Sequence, residues 1–87
     1  MVLHVGDVIV SNNDRIYGIQ KMFKYADRSF VIVREFFGTE KELHEDDGMV
    51  RVQEEIVKDD TLSLENVSDE IYRELLDGGL IDNNIQK

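Results

Sequence analysis

The chain is expected to be mainly β with one C-terminal helix (α+β): a small, strongly bent antiparallel sheet of four to five strands, closed by a helix near residues 67–77. Three observations carry this expectation. The first half holds runs dense in Val, Ile, Phe and Tyr, separated by short polar breaks. Beyond residue 59 the apolar spacing changes to that of a helix. At 87 residues there is room for one modest core and no second domain, so residues 1–87 read as a single domain that is β-rich over 1–57.

The elements follow in order. "VLHVGDVIV", "RIYGIQKMFKYA" and "RSFVIVREFFG" read as successive antiparallel strands. "SNND" at 11–14 is a turn, because Asn and Asp tolerate left-handed backbone and bond their own main chain. Ala26-Asp27-Arg28-Ser29 reads as a tight hairpin, and Gly6-Asp7 as a bulge or bend. In the third run Val31 and Val33 point to one face and Phe30, Ile32 and Phe36 to the other, which places this strand centrally or at a barrel corner. Residues 38–48 read as a polar connection, and "MVRVQEEIV" as a fourth, half-exposed strand with Val50 and Val52 inward.

Val67, Ile71 and Leu75 then recur at helical spacing, with Tyr72 and Leu76 beside them. Ser68 or Asn66 caps the start, Asp69 and Glu70 suit the positive end of the helix dipole, and Gly78-Gly79 before Leu80 suits a left-handed C-terminal cap. The tail, residues 82–87, is expected to fray apart from Ile85. The stretch "VGDVIVSNNDRIYGIQKMF" followed by "RSFVIVREF" resembles the opening hairpins of SH3-like small barrels. That resemblance covers roughly residues 5–53 and implies an SH3-like barrel.

Composition narrows the function classes. With no cysteine there is neither a disulfide nor a thiolate zinc site. The start "MVLHVGDVIV" has no basic n-region, and no apolar run approaches the ~18 residues of a membrane span, so a cytoplasmic location away from membranes is expected. The formal charge of −9 is unevenly placed. Residues 1–34 carry five cations and three anions, whereas residues 35–87 carry five cations and sixteen anions.

Catalytic apparatus is not visible. Four serines and two histidines stand in no activating motif, and there is no glycine-rich phosphate loop, so a non-enzymatic protein without cofactor is expected. "HEDDG" at 44–48 does not fit an EF-hand, because placing Gly48 at the sixth position puts Leu43 where the first carboxylate belongs; no metal is expected. His44 reads as a surface histidine among anions, and His4 as facing outward from the first strand.

Two charged surfaces remain. Arg15, Lys21, Lys24, Arg28 and Arg34, interleaved with Tyr17, Phe23, Tyr25 and Phe30, suggest a stacking, phosphate-contacting sheet face. The core competes for the aromatics, so Phe23, Phe30, Phe36 and Phe37 are expected to be mostly buried and Tyr17 and Tyr25 exposed. Net charge argues against direct nucleic-acid binding.

The second surface is acidic: residues 40–60 hold nine carboxylates against three cations, and the helix adds more. Segregated carboxylates on ordered elements present a potential like that of a DNA backbone. In size, acidity, lack of cysteine and β-rich scaffold the chain resembles the small DNA-mimic inhibitors that bacteriophages direct against host proteins such as repair enzymes, restriction systems and RNA polymerase. The resemblance implies an acidic protein-binding module that occupies the basic, nucleic-acid-binding surface of a host protein. The partner-binding residues expected are Glu45, Asp46, Asp47, Glu54, Glu55, Asp59, Asp60, Asp69, Glu70 and Glu74, with Tyr17 or Tyr25 as apolar anchors. The alternatives are a nucleic-acid-binding SH3-like domain using the basic sheet, and a structural subunit, homodimeric through an edge strand, with a solvated acidic face.

Overall fold

A computed structural model describes residues 4–46 and 61–87, with Thr61 and Leu62 described by their backbone alone. The strands are β1 (Val8–Ser11), β2 (Ile16–Tyr25), β3 (Arg28–Glu35), β4 (Lys41–Asp46), β5 (Thr61–Leu62), β6 (Leu64–Asn66) and β7 (Ile85–Gln86), and the helix α1 is Asp69–Asp77. The sheet runs β5-β1-β2-β3-β4-β6, and β7 joins the far side of β4 in parallel. Only Ser63 separates β5 from β6, so the two ends of the sheet meet there and it is nearly closed into a small barrel, consistent with an SH3-like barrel.

Strand β3 lies between β2 and β4 and is apolar on both sides, as the alternation in "RSFVIVREFF" implies. Val31 and Val33 enter the barrel interior with Ile9, Tyr17, Ile19 and Leu64. Phe30 and Ile32 face outward and form a second core with Leu43, Val67, Leu75, Ile81 and Ile85 beneath α1. A register shift in the β2–β3 pairing at Gln20 makes this possible. Before it, odd-numbered Tyr17 and Ile19 point inward; after it, Met22 points inward and Phe23 and Tyr25 turn outward to the helix.

The β2–β3 hairpin turns on Ala26 and Asp27 at φ 51° and 60°, with Tyr25 opposite Arg28. Two successive left-handed residues match the twist of the flanking strands. Helix α1 starts at Ser68, whose Oγ accepts from the Ile71 N–H at 3.3 Å. It ends with Gly79 at φ 73°, the Gly79 N–H donating to Leu76 O and the Leu80 N–H to Leu75 O. This 6→1 plus 5→2 pattern satisfies carbonyls that the last turn leaves open.

Three expectations are corrected. Residues 41–46 are not a polar connection: they form β4, antiparallel to both β3 and β6. In "KELHED" the polar side chains hide a strand period of two, with Leu43 in the outer core and His44 on the interior face opposite Val31. Ile85, the residue excepted from the fraying tail, is buried and accepts from the Tyr72 hydroxyl, but the residues after it are held as well, Gln86 pairing with Glu42 and Lys87 with Asp69. Phe36 and Phe37 are exposed rather than buried, since the chain turns away from the sheet where β3 ends. The expected strand "MVRVQEEIV" lies outside the described residues.

Candidate functional site

The expected acidic surface divides three ways. Asp47, Glu54, Glu55, Asp59 and Asp60 lie outside the described residues. Glu45, Asp46 and Asp69 are engaged within the fold. Glu70 and Glu74 project from α1 into solvent.

Asp46 is 1% exposed, which removes it from any partner surface. Strand alternation explains this: Glu42, His44 and Asp46 share the face of β4 that lines the interior, while Leu43 and Glu45 share the opposite one. Glu45 is held by Arg28, whose Nε donates to Oε1 at 2.9 Å and whose second nitrogen reaches Oε2, a bidentate fork. The carboxylate hydrogen bond holds the Arg28 guanidinium above its ordinary pKa. Asp69 forms an ion pair with Lys87, and that partner draws its carboxyl below the ordinary range.

Helix α1 presents the acids that stay open. Glu70, Glu74 and Asp77 are exposed at i, i+4 and i+7, one stripe of the helix, and exposed Glu65 precedes them on β6. Glu74 also accepts from the Tyr25 hydroxyl at 3.0 Å, and this bond to the neutral phenol raises the Tyr25 pKa. Arg73 is the one cation within the helix.

The basic sheet face is also largely spent on structure. Arg15 donates to Glu35 at 2.9 Å and to Glu42 at 3.0 Å, and stacks 4.9 Å from the centroid of the Tyr17 ring. The hydrogen bond to Glu35 raises the Arg15 pKa and lowers that of Glu35. Tyr17, expected as an exposed anchor, is fully buried, and burial pushes its phenol pKa up. Phe30 is buried as well, and Tyr25 is half-buried against the helix.

His44, expected on the surface, is 7% exposed. Its Nε2 lies 3.3 Å from Glu42 Oε1, its ring centroid lies 6.0 Å from that of Tyr17, and its Nδ1 has no hydrogen-bond partner among the described residues. His4, by contrast, is exposed as expected. Ser68 is occupied as a helix cap and Ser11 bonds within the 11–15 turn, while Ser29 is buried. Among the described residues no three His, Cys, Asp or Glu side chains gather as a metal site, and no helix is long and apolar enough to cross a membrane.

Sequence reasoning missed the aromatic pair at the end of β3. Phe36 and Phe37 stack with centroids 4.5 Å apart, and Phe37 is 95% exposed. The signal available was Gly38, which marks a turn immediately after them. No family model matches the chain, and neither a curated protein nor a solved structure matches it.

Proposed function

We propose that this protein is a non-enzymatic binding module on an SH3-like barrel, whose acidic stripe on α1 docks against the basic, nucleic-acid-binding surface of another protein. The observation that carries the reading is the exposed row Glu70, Glu74 and Asp77. At a rise of ~1.5 Å per residue the row is about 10 Å long. One strand of DNA places a phosphate every ~3.4 Å, so the stripe has roughly two-thirds to three-quarters of that linear charge density. An Arg/Lys groove built for phosphates therefore meets similar charge at similar spacing. Glu65, exposed on the adjoining strand, extends the acidic surface.

Glu45 and Asp69 already have cationic partners within the fold, and Asp46 is buried, so the contact is assigned to Glu70, Glu74 and Asp77. Non-enzymatic action is supported by Ser11, Ser29, Ser68 and His44, which turn, cap or lie buried in the fold.

The test is capture from a bacterial lysate at low salt on the immobilised protein, followed by elution with duplex DNA. Retention of a DNA-binding protein that DNA releases, and that the triple variant E70K/E74K/D77K no longer holds, is the expected result. Circular dichroism must show α1 intact in that variant. Retention that is indifferent to both DNA and the charge reversal would sink the reading.

A further inference from the structure

The outer face of the sheet, which α1 covers at one end, is covered at the other by no element among the described residues. Val8, Gly18, Arg34 and Lys41 stand opposite one another across β1, β2, β3 and β4. Beside them Ile16 meets Phe36, whose N–H donates to Ile16 O at 2.9 Å. Val8, Ile16, Phe36 and Phe37 are all exposed, and Gly18 puts no side chain between Val8 and Arg34, where the Gln20 amide lies beside it. Toward the helix this face sinks into a groove of about 370 Å³ lined by Gln20, Lys21, Ile32, Lys41, Leu80, Ile81 and one carboxylate, Asp82, which accepts from the Asn84 N–H at 2.9 Å.

The cations of this face are grouped, unlike Lys24, which also forms no ion pair among the described residues. Arg15, Arg28 and Lys87 are each paired with a carboxylate. Lys21, Arg34 and Lys41 have no carboxylate partner among the described residues, although the chain holds nineteen acids against ten bases. Arg34 and Lys41 even stand directly opposite each other, a cross-strand arrangement that like charges disfavour unless an anion joins them. Lys21 is held at the groove wall, its Nζ donating to Leu80 O at 3.3 Å.

Phe37 adds an independent sign. A bulky side chain at φ 67° occupies left-handed backbone that favours glycine, and it gains no burial in return. An exposed aromatic kept in such a conformation is suited to meeting a partner.

We infer that this outer face, from the Lys21–Lys41 groove to Phe36 and Phe37, docks an extended acidic peptide segment of another protein. Its carboxylates meet Lys21, Arg34 and Lys41, and its apolar side chains cover Ile16, Phe36 and the Ile32–Leu80 floor. Three inter-strand spacings of ~4.8 Å separate β1 from β4, so about five extended residues cross the face. Phe36 and Phe37 offer planes on which a base could stack, but the chain's charge of −9 repels a phosphate backbone. A short peptide brings few charges and matches the apolar part. This surface is separate from the α1 stripe and does not rest on the role proposed for it.

The experiment is selection of a random peptide library displayed on phage against the intact protein, followed by binding of the winning synthetic peptide by fluorescence anisotropy. Enriched sequences are expected to place Asp or Glu next to Leu, Ile, Phe or Trp. The double variant R34E/K41E and the variant F37G should each weaken binding by about tenfold or more, the scale of losing an interfacial charge or aromatic anchor. F37G is expected to melt no lower than the wild type, which separates lost binding from lost folding. E70K/E74K/D77K should bind the peptide undiminished. Amide NMR shifts should fall on Gly18, Lys21, Arg34, Lys41 and Leu80.

Failure to enrich acidic peptides, equal binding by the variants, or shifts elsewhere would overturn the inference. So would a sedimenting dimer that F37G splits, which gives the face to a second copy, or displacement by oligo-dT with the same shifts, which gives it to nucleic acid.

Discussion

At the scale of single residues, ion pairs and buried rings set the sensitivities. Arg15 holds Glu35 in its charged form, and Lys87 does the same for Asp69, so both carboxyls titrate below their ordinary values. Carbon-detected NMR titration is expected to place Glu35 below ~4.3 and Asp69 below ~3.9, the usual midpoints. Arg15→Ala should return Glu35 to the usual range. A depressed folded pKa favours folding above the unfolded value, and the contribution disappears as pH falls through the folded value. The stability gap between wild type and Arg15→Ala should accordingly be present near neutrality and narrow below about pH 4. Phe30, fully buried beneath the helix and stacked on Phe23 with centroids 5.5 Å apart, is the most sensitive apolar position. Phe30→Ala is expected to cost about 3–5 kcal/mol by denaturant unfolding. If it cost under about 1 kcal/mol, the core beneath α1 would not be packed as described.

At the scale of elements, two turns make opposite use of left-handed backbone. The C-terminal cap of α1 assigns its positive-φ position to Gly79, which adopts it without a Cβ penalty. The β2–β3 hairpin assigns the same region to Ala26, an L-residue with a Cβ, at a cost of roughly 1–2 kcal/mol. Ala26→Gly should therefore stabilise the protein by about 1 kcal/mol and Gly79→Ala destabilise it by a similar amount, both read from chemical denaturation. Equal and negligible effects would mean that neither turn holds its conformation. Ser68→Ala, which removes the acceptor for the Ile71 N–H, should cost about 1 kcal/mol.

At the scale of the whole molecule, charge governs. The described residues extend 37 × 30 × 20 Å, so in ~0.01 M salt a Debye length of ~30 Å lets the excess carboxylates repel one another across the fold. Near 0.15 M the length is ~8 Å and only neighbours interact. Raising salt over this range is expected to raise Tm by several degrees, since about 1 kcal/mol corresponds to ~4–8 °C for a domain of this size. A fall in Tm would show that the ion pairs of Arg15, Arg28 and Lys87 outweigh the repulsion. The same asymmetry organises the two proposed surfaces, acidic on α1 and cationic with aromatics on the bare side of the sheet.

Local chemistry was legible without coordinates wherever a residue's preference and its place agreed. The alternation of "RSFVIVREFF" put β3 at the centre, Ala26-Asp27-Arg28-Ser29 marked the hairpin although its last two residues already belong to β3, and Val67, Ile71 and Leu75 with Ser68 and Gly79 outlined α1. Charge segregation was likewise visible, because it is a property of composition along the chain. What only the tertiary structure decided depends on pairings far apart in sequence. Strand β4 was hidden in "KELHED" because its period is written in polar residues whose burial comes from β3 on one side and β6 on the other. The bulge at Gln20 reversed the facing of Phe23 and Tyr25, and no spacing rule reports a register shift. For the acidic site, the chain order gave the carboxylates but not their partners. Arg28 reaches Glu45 from a neighbouring strand and Lys87 reaches Asp69 from the tail, and such contacts exist only once the sheet has nearly closed. The helix carboxylates Glu70, Glu74 and Asp77 are exposed because α1 turns its apolar face to the sheet, and among the described residues only the Tyr25 hydroxyl reaches them, at Glu74.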